Sequence, residues 1–100
     1  MNIEICQRFE KATELLNQRW IGLIVHQLLS GHTRFNHLQK SLKISGKVLS
    51  QRLKLLEDEA ILTRQIYAEV PVRVEYRLTA KGKALKPVIA AIQSWADTWQ

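Results

Sequence analysis

The amino-acid sequence predicts a mainly α-helical fold with one small antiparallel β-hairpin. Apolar residues recur at helical spacing in several segments, and the spacing changes to strict alternation only near residues 72–78. Four glycines and two prolines leave few interruptions of regular structure. The length of 100 residues, 46% of them hydrophobic, suffices for one core without disulfides. We therefore expect a single domain over residues 1–100.

The amino-terminal third predicts two helices. Over residues 7–17, apolar side chains recur at steps of three and four, as in an amphipathic helix. From Trp20 to Leu29 the sequence is nearly all apolar, which is typical of a helix buried on most sides. The pair Ser30-Gly31 then ends this helix, because glycine commonly follows a helix carboxyl terminus.

The next segment predicts two helices separated by a tight turn. Residues 34–42 carry apolar side chains at i, i+3 and i+7, which indicates about two helical turns. A turn follows at Lys43-Ile44. Ser45 is a good N-cap for a longer helix that runs to Glu59, because its hydroxyl can accept from an unpaired amide. The buried stripe of this helix is Leu49, Leu53 and Leu56.

A hairpin and a last helix complete the chain. Apolar and charged residues alternate from Val72 to Leu78, and the preceding run from Leu62 to Glu69 is expected to pair with this strand. Pro71 lies near the tip, where its missing amide costs no ladder bond. Thr79 can cap the last helix, and Pro87 is expected to kink it. This order of elements is that of a winged helix-turn-helix, with the hairpin as the wing.

The outer face of the capped helix presents candidate DNA contacts. These residues, opposite the leucine stripe, are Ser45, Lys47, Ser50, Gln51 and Lys54. A solvated helix face is the alternative interpretation. The amino-terminal end of a recognition helix enters the major groove, however, and this face carries no acidic residue before Glu57. A net charge of +6 also favours a polyanionic partner, so the pattern indicates double-stranded DNA.

Three arginines outside this helix are further candidates for DNA contact. Arg73, near the hairpin tip, can lie against phosphates or enter a minor groove, and Arg77 on the same strand face is a weaker candidate. The alternative for both is a salt bridge with Glu69 or Glu75. Arg34 can anchor a phosphate or pair with a nearby carboxylate.

Several stretches together resemble the HxlR-type family of bacterial regulators. They are Cys6, Arg19-Trp20, RFNHL from Arg34, VLSQRLKLLE from Val48, YAEVPVRVEYRLTAKGKAL from Tyr67 and WAD from Trp95. No single motif is specific, but their order and spacing extend over nearly the whole chain. The resemblance implies a homodimeric winged-helix transcription factor on a pseudo-palindromic operator, dimerising through its amino-terminal and last helices.

Apolar residues of these two helices independently favour a dimer. The last helix carries more apolar surface than so small a core covers, and a second subunit is its expected cover. The alternative is that its tryptophans fold back onto their own subunit. The interface candidates are Phe9, Ile92, Trp95 and Trp99.

Cys6 is the candidate redox sensor. Some members of the family sense quinones, diamide, aldehydes or hypochlorite through a cysteine near the amino terminus, and the resemblance implies this role for Cys6. Nearby Arg8 and Lys11 would favour the reactive thiolate. The alternative is an inert thiol beside Phe9. Because the chain has one cysteine, a Cys6 disulfide must join two chains or a small thiol, whereas quinone alkylation needs one sulfur.

Other function classes find little support in the sequence. His26, His32 and His37 have no cysteine or paired carboxylate at ligand or triad spacing, so we expect no enzyme, metal or cofactor. A winged-helix module that contacts proteins is an alternative that the basic recognition helix disfavours. No run approaches the ~18 apolar residues of a membrane span, nor does a signal peptide begin the chain. We therefore expect a cytoplasmic protein without a membrane partner.

Overall fold

The computed structural model describes residues 3–100, with side chains from Cys6 onward. Helices and a two-stranded antiparallel sheet follow one another in the predicted order. The elements are α1 (Ile3–Asn17), α2 (Ile21–Leu29), α3 (Phe35–Leu42), α4 (Gly46–Asp58), β1 (Leu62–Tyr67), β2 (Arg73–Leu78), α5 (Ala80–Lys83) and α6 (Lys86–Trp99).

The hydrophobic core lies between α2, α3, α4 and the base of the sheet. On α2 the buried residues are Ile21, Ile24, Val25 and Leu28, and on α4 they are Leu49, Leu53 and Leu56. The predicted leucine stripe is therefore confirmed. Burial of each such side chain stabilises the fold by about 1.5–3 kcal/mol before the entropy of ordering is subtracted.

The turn between α3 and α4 has the predicted geometry. Lys43 adopts a left-handed conformation with φ of 54°, which reverses the chain at the end of α3. The Val48 amide donates to the Ser45 hydroxyl at 3.2 Å, so Ser45 caps α4 as expected. These two features fix the direction in which α4 leaves the turn.

The wing consists of β1, β2 and the loop 68–72 between them. Its register runs from Leu62 opposite Leu78 to Tyr67 opposite Arg73. The segment before α3 pairs with β2 through one isolated bridge between Arg34 and Glu75, beside which the Tyr76 amide donates to the Thr33 carbonyl at 2.8 Å. The sequence did not predict this bridge, since a single pair of residues has no period-2 pattern.

The structure corrects two predictions about the helices. Helix α1 begins at Ile3 rather than at residue 7. The single last helix is instead two helices, α5 and α6, and Pro87 lies in the first turn of α6. Pro87 therefore starts a helix instead of kinking one, because a first-turn amide has no helical partner to lose.

Helix α5 packs closely against the start of β1. The Thr79 hydroxyl accepts from the Gly82 amide at 3.1 Å and donates to the Ala60 carbonyl at 2.6 Å. A Cβ atom on Gly82 would collide with the carbonyl oxygen of Ile61. This close approach explains why glycine occupies the helix. None of the described helices has the length and apolarity needed to cross a bilayer.

Candidate nucleic-acid interface

Helix α4 presents its predicted polar face to solvent. Lys47, Ser50 and Gln51 are exposed, and within the described residues their side chains form no hydrogen bond or ion pair. They lie opposite the buried leucines, at the amino-terminal half of the helix. Their donors and acceptors are therefore available to an external ligand.

Lys54 also lies on this face, but it has an internal partner. Its Nζ donates to Asp58 Oδ1 at 2.8 Å, one helical turn further on. This hydrogen bond, helped by the charge of the carboxylate, raises the pKa of Lys54. A contact of Lys54 with a phosphate would therefore compete with Asp58.

Arg73 and Arg77 of the wing form ion pairs with Glu69 and Glu75, the alternative partners that the sequence offers them. Arg73 Nε lies 3.3 Å from Glu69 Oε2, and its guanidinium stacks 4.2 Å from the Tyr67 ring centre. Arg77 donates to Glu75 Oε2 at 3.4 Å. The stack and the ion pair hold Arg73 at the base of the tip loop.

Glu75 joins the wing to the start of α3. Its carboxylate, 13% exposed, lies 3.9 Å from Arg34 Nε as well as near Arg77. Burial alone raises the pKa of Glu75, but the hydrogen bond from Tyr67 and the charges of the neighbouring arginines outweigh burial and lower it. A single carboxylate therefore connects three segments of this surface.

A groove between α3 and the wing tip contains residues that the sequence analysis did not select. His37 and Lys40 are exposed on α3, and Val70 and Val72 are exposed on the tip loop. With Arg34, the two α3 residues form a series at steps of three. That spacing on the polar face of α3 is the signal that could have found them.

The predicted interface residues lie on exposed faces of α1 and α6. Phe9 is 67% exposed, Trp95 58% and Trp99 71%. Ile92 is also exposed, and so is Leu23 on α2, which the sequence analysis did not select. The tryptophans do not fold back onto the core of their own subunit.

Cys6 lies partly exposed on α1 with a free thiol. The turn that follows α1 is connected to α4, because Arg52 Nε donates to the Arg19 carbonyl at 2.9 Å. The next residue, Trp20, has a φ of 80°, a left-handed conformation that is strained for a side chain of this size. The junction between α1 and α2 is therefore bonded directly to the helix with the exposed polar face.

Two of the histidines lie side by side. His32 and His37 contact each other edge to face, with ring centres 4.1 Å apart. Within residues whose placement is described, no group of three or more histidine, cysteine, aspartate or glutamate side chains could hold a metal ion.

Residues 15–100 match the family model described as HxlR-like helix-turn-helix. The uncharacterised HTH-type transcriptional regulator YvaP of Bacillus subtilis is 52% identical over 97 residues, which cover 96% of this chain and 90% of YvaP. The HTH-type transcriptional regulator YodB of the same organism is 45% identical over 98 residues, covering 97% of this chain and 88% of YodB.

Solved structures of two regulators resemble the fold. Reduced YodB of B. subtilis superposes with a TM-score of 0.81 at 45% identity, covering 92% of this chain and 91% of YodB. Quinone-bound YodB gives 0.79 at 42% identity, with 92% and 97% covered. The redox regulator HypR in its reduced form gives 0.85 at 28% identity, with 91% of each chain covered.

Proposed function

Since the chain belongs to the HxlR-like helix-turn-helix family of transcriptional regulators, we propose that it is a homodimeric, thiol-sensing repressor. Its fold is the winged helix-turn-helix that the sequence predicts. The family and its relatives are DNA-binding regulators and not enzymes. In this proposal the protein binds a pseudo-palindromic operator in the cytoplasm and leaves it when Cys6 is modified.

The observation that carries the DNA-binding proposal is the outer face of α4. Lys47, Ser50 and Gln51 are exposed and unpartnered within the described chain, while the opposite face is fixed in the core. In this proposal the amino-terminal half of α4 enters a major groove, where Gln51 reads a base edge and Lys47 meets phosphates. Ser45 and Lys54 flank this contact, and Arg34 and Arg73 would reach phosphates from α3 and the wing.

The exposed apolar faces support the dimer. In a single subunit, water contacts the apolar side chains of Phe9, Ile92, Trp95 and Trp99. Burial of this apolar surface against a second copy would stabilise a dimer. To enter two successive major grooves, the two α4 helices of such a dimer must lie about 34–36 Å apart, one turn of DNA. A pseudo-palindromic operator matches that symmetry.

The sensing step needs only the single sulfur of Cys6. The thiol gives its proton to water, and the thiolate adds to a ring carbon of a quinone. A carbon–sulfur bond forms while the electron pair of the ring double bond moves to the carbonyl oxygen, which takes up a proton. The ring carbon that carries sulfur then loses its hydrogen as a proton while the second carbonyl oxygen gains a proton, so the ring becomes an aromatic hydroquinone adduct with no second thiol or external oxidant. Partial exposure of Cys6 and the similarity to a regulator solved with bound quinone support this step.

The adduct would act through the geometry of the dimer. Cys6 lies on α1, one of the two proposed interface helices, so a bulky substituent there would change how the subunits meet. A change in subunit orientation alters the spacing of the two α4 helices and weakens operator binding.

Binding of the reduced protein to duplex DNA from upstream of its own gene tests the proposal. Fluorescence anisotropy before and after addition of benzoquinone should show tight binding that is lost on treatment. The matched Cys6→Ala variant should bind as tightly and keep its DNA in quinone. If quinone releases DNA from Cys6→Ala as readily as from the natural chain, sensing at Cys6 is refuted. The DNA-binding function would be unaffected by that result.

A salt titration separates DNA binding from a protein-interaction role. Affinity for duplex DNA should fall steeply with salt, because bound lysine and arginine displace counterions from phosphates. An apolar protein interface would lack this dependence, so the absence of any salt-dependent duplex binding would refute the DNA-binding proposal.

A further inference from the structure

We infer that the groove between α3 and the wing tip holds a sugar-phosphate strand of duplex DNA, with Lys40 and His37 as its phosphate contacts. The inference rests on the proposed function and extends it to a surface beyond the recognition helix. Lys40 and His37 belong neither to the polar face of α4 nor to the wing arginines, and both gain a role in DNA binding.

The position of α3 is the first argument. A Cβ atom on Gly46, at the start of α4, would lie 3.5 Å from Gln39 Nε2 and 3.9 Å from the Phe35 ring, so one face of α3 borders α4. Its other face, with His37 and Lys40, borders the wing tip across the groove. The exposed amino-terminal turns of α3 thus lie between the two DNA-contacting elements.

Duplex geometry then requires a strand at this place. With α4 in a major groove and the wing tip at the adjacent minor groove, the two grooves are separated by one sugar-phosphate strand. That strand must pass between α4 and the wing tip, where α3 and the groove lie. The groove volume of about 850 Å³ suits a chain segment better than a single bound ion.

The chemistry of the two walls matches that of the strand. Arg34, His37 and Lys40 supply hydrogen-bond donors on the α3 side, whereas the tip loop supplies exposed Val70 and Val72. The α3 side can bind phosphates, and the tip loop can pack against the apolar faces of deoxyribose.

Lys40 is the cation of the groove with no competing partner. Arg34 lies near Glu75 and Arg73 pairs with Glu69, the one carboxylate among the described groove residues. Lys40 forms no ion pair or hydrogen bond with its side chain in residues 6–100. A phosphate is the ligand that this arrangement of charge favours.

The test compares Lys40→Gln with the matched variant Lys83→Gln, which changes another exposed lysine, on α5 at the opposite end of the sheet. The probe is a mixed-sequence duplex of about 30 base pairs, which spans two half-sites about one turn apart. For Lys40→Gln we expect affinity at low salt to fall about 3- to 10-fold, and the log–log salt slope to fall by about 0.9 per subunit. Lys83→Gln should keep the natural affinity and slope.

Phosphate-ethylation interference on the duplex from upstream of the protein's own gene, where an operator fixes the binding register, supplies a second readout. Ethylation of the phosphates beside the minor groove should block binding by the natural chain. The same ethylation should not change binding by Lys40→Gln. On the other wall, Val70→Asp should weaken binding of the same duplex more than Thr63→Asp, which adds the same charge to an exposed site at the base of the wing.

The outcomes separate this inference from the function on which it rests. If the natural chain binds DNA in a salt-dependent way and Lys40→Gln has the same salt slope, the groove does not hold a DNA strand. The proposed DNA-binding function would be unaffected by that result. Failure of the natural chain to bind any duplex would overturn both. An equal loss in Lys40→Gln and Lys83→Gln would show a general effect of net charge and also overturn the groove.

Discussion

Arg34 and Glu75 are paired through both backbone and side chain. Their backbones form an antiparallel bridge, and Arg34 Nε lies 3.9 Å from Glu75 Oε1. The pair connects the first residue before α3 to the middle of β2. The position of the wing relative to the helix-turn-helix therefore depends on this contact.

Replacement of Glu75 by glutamine should make the free energy of unfolding depend less on pH in the acid range. The folded pKa of Glu75 is below its ordinary value of 4.5, so its carboxylate stabilises the native state above that pH, and the contribution is lost as pH falls through the folded pKa. Urea unfolding should show Glu75→Gln less stable near neutral pH, with the difference shrinking below about pH 4.5.

A glutamate in a more exposed ion pair is the control for Glu75. Glu69→Gln, at the wing tip, should change stability less at neutral pH, because exposed ion pairs contribute little. A stability difference for Glu75→Gln that is constant from neutral to acid pH would contradict the prediction.

Gly82→Ala should destabilise the fold. The added Cβ would collide with the Ile61 carbonyl oxygen, and moving α5 away from β1 costs about 1–3 kcal/mol. Gly22→Ala on α2 is the matched control, because a Cβ there meets nothing within 4 Å and should add up to about 1 kcal/mol of stability. Thermal unfolding followed by circular dichroism distinguishes the two, and equal melting temperatures would refute the close-contact argument.

Gln51 and Lys54 should contribute differently to DNA binding. Gln51→Ala removes a base-edge contact and should relax preference at one operator position, at a cost of about 1–3 kcal/mol. Lys54→Ala removes a phosphate contact and should weaken all sequences similarly. Asp58→Asn, which removes the partner of Lys54, should strengthen binding instead. Anisotropy with an operator and its single-base variants measures these effects, and identical profiles for the two alanine variants would contradict the division.

Polar substitutions on α6 should dissociate the dimer. Trp95→Gln and Trp99→Gln each remove apolar surface that a partner would bury, worth about 2–4 kcal/mol or a 30- to 1000-fold rise in the dimer Kd. Val70→Gln, at a fully exposed apolar site on the wing tip, is the control and should leave assembly unchanged. Analytical ultracentrifugation reports the dimer Kd, and the same assembly for all three variants would place the interface elsewhere.

Arg52→Met should weaken the connection between Cys6 and α4. Methionine keeps the apolar stem but loses the hydrogen bond to the Arg19 carbonyl, which should cost about 1 kcal/mol in stability. The reduced variant should bind DNA normally, whereas its quinone-treated form should retain more DNA than the natural chain. Quinone release curves measure this, and identical curves for both proteins would show that the contact carries no signal.

Local sequence patterns predicted most of the fold. The spacing of Leu49, Leu53 and Leu56 fixed the buried face of α4, and Ser45 marked its start. Alternation identified the strand that contains Tyr76, because one face of it meets the core. These signals succeed since each depends on residues only a few positions apart.

The remaining features depend on contacts between distant residues. The bridge from Arg34 to Glu75 leaves no periodic pattern, and Pro87 alone does not reveal whether it starts or kinks a helix. The α4 residues of the candidate site were predicted from one helix face. The groove of Lys40 and Val70 was missed because its walls come from separate segments.

The exposure of Trp95 and Trp99 on α6 gives the molecule an intrinsic optical reporter. Indole emission moves to shorter wavelength when water is removed from the ring, so association of subunits through α6 would shift the spectrum while the helices remain folded. Trp20, partly buried between α1 and α2, reports instead on the junction within one chain. Assembly and internal rearrangement can therefore be followed separately, without any attached dye, by substituting one set of indoles at a time.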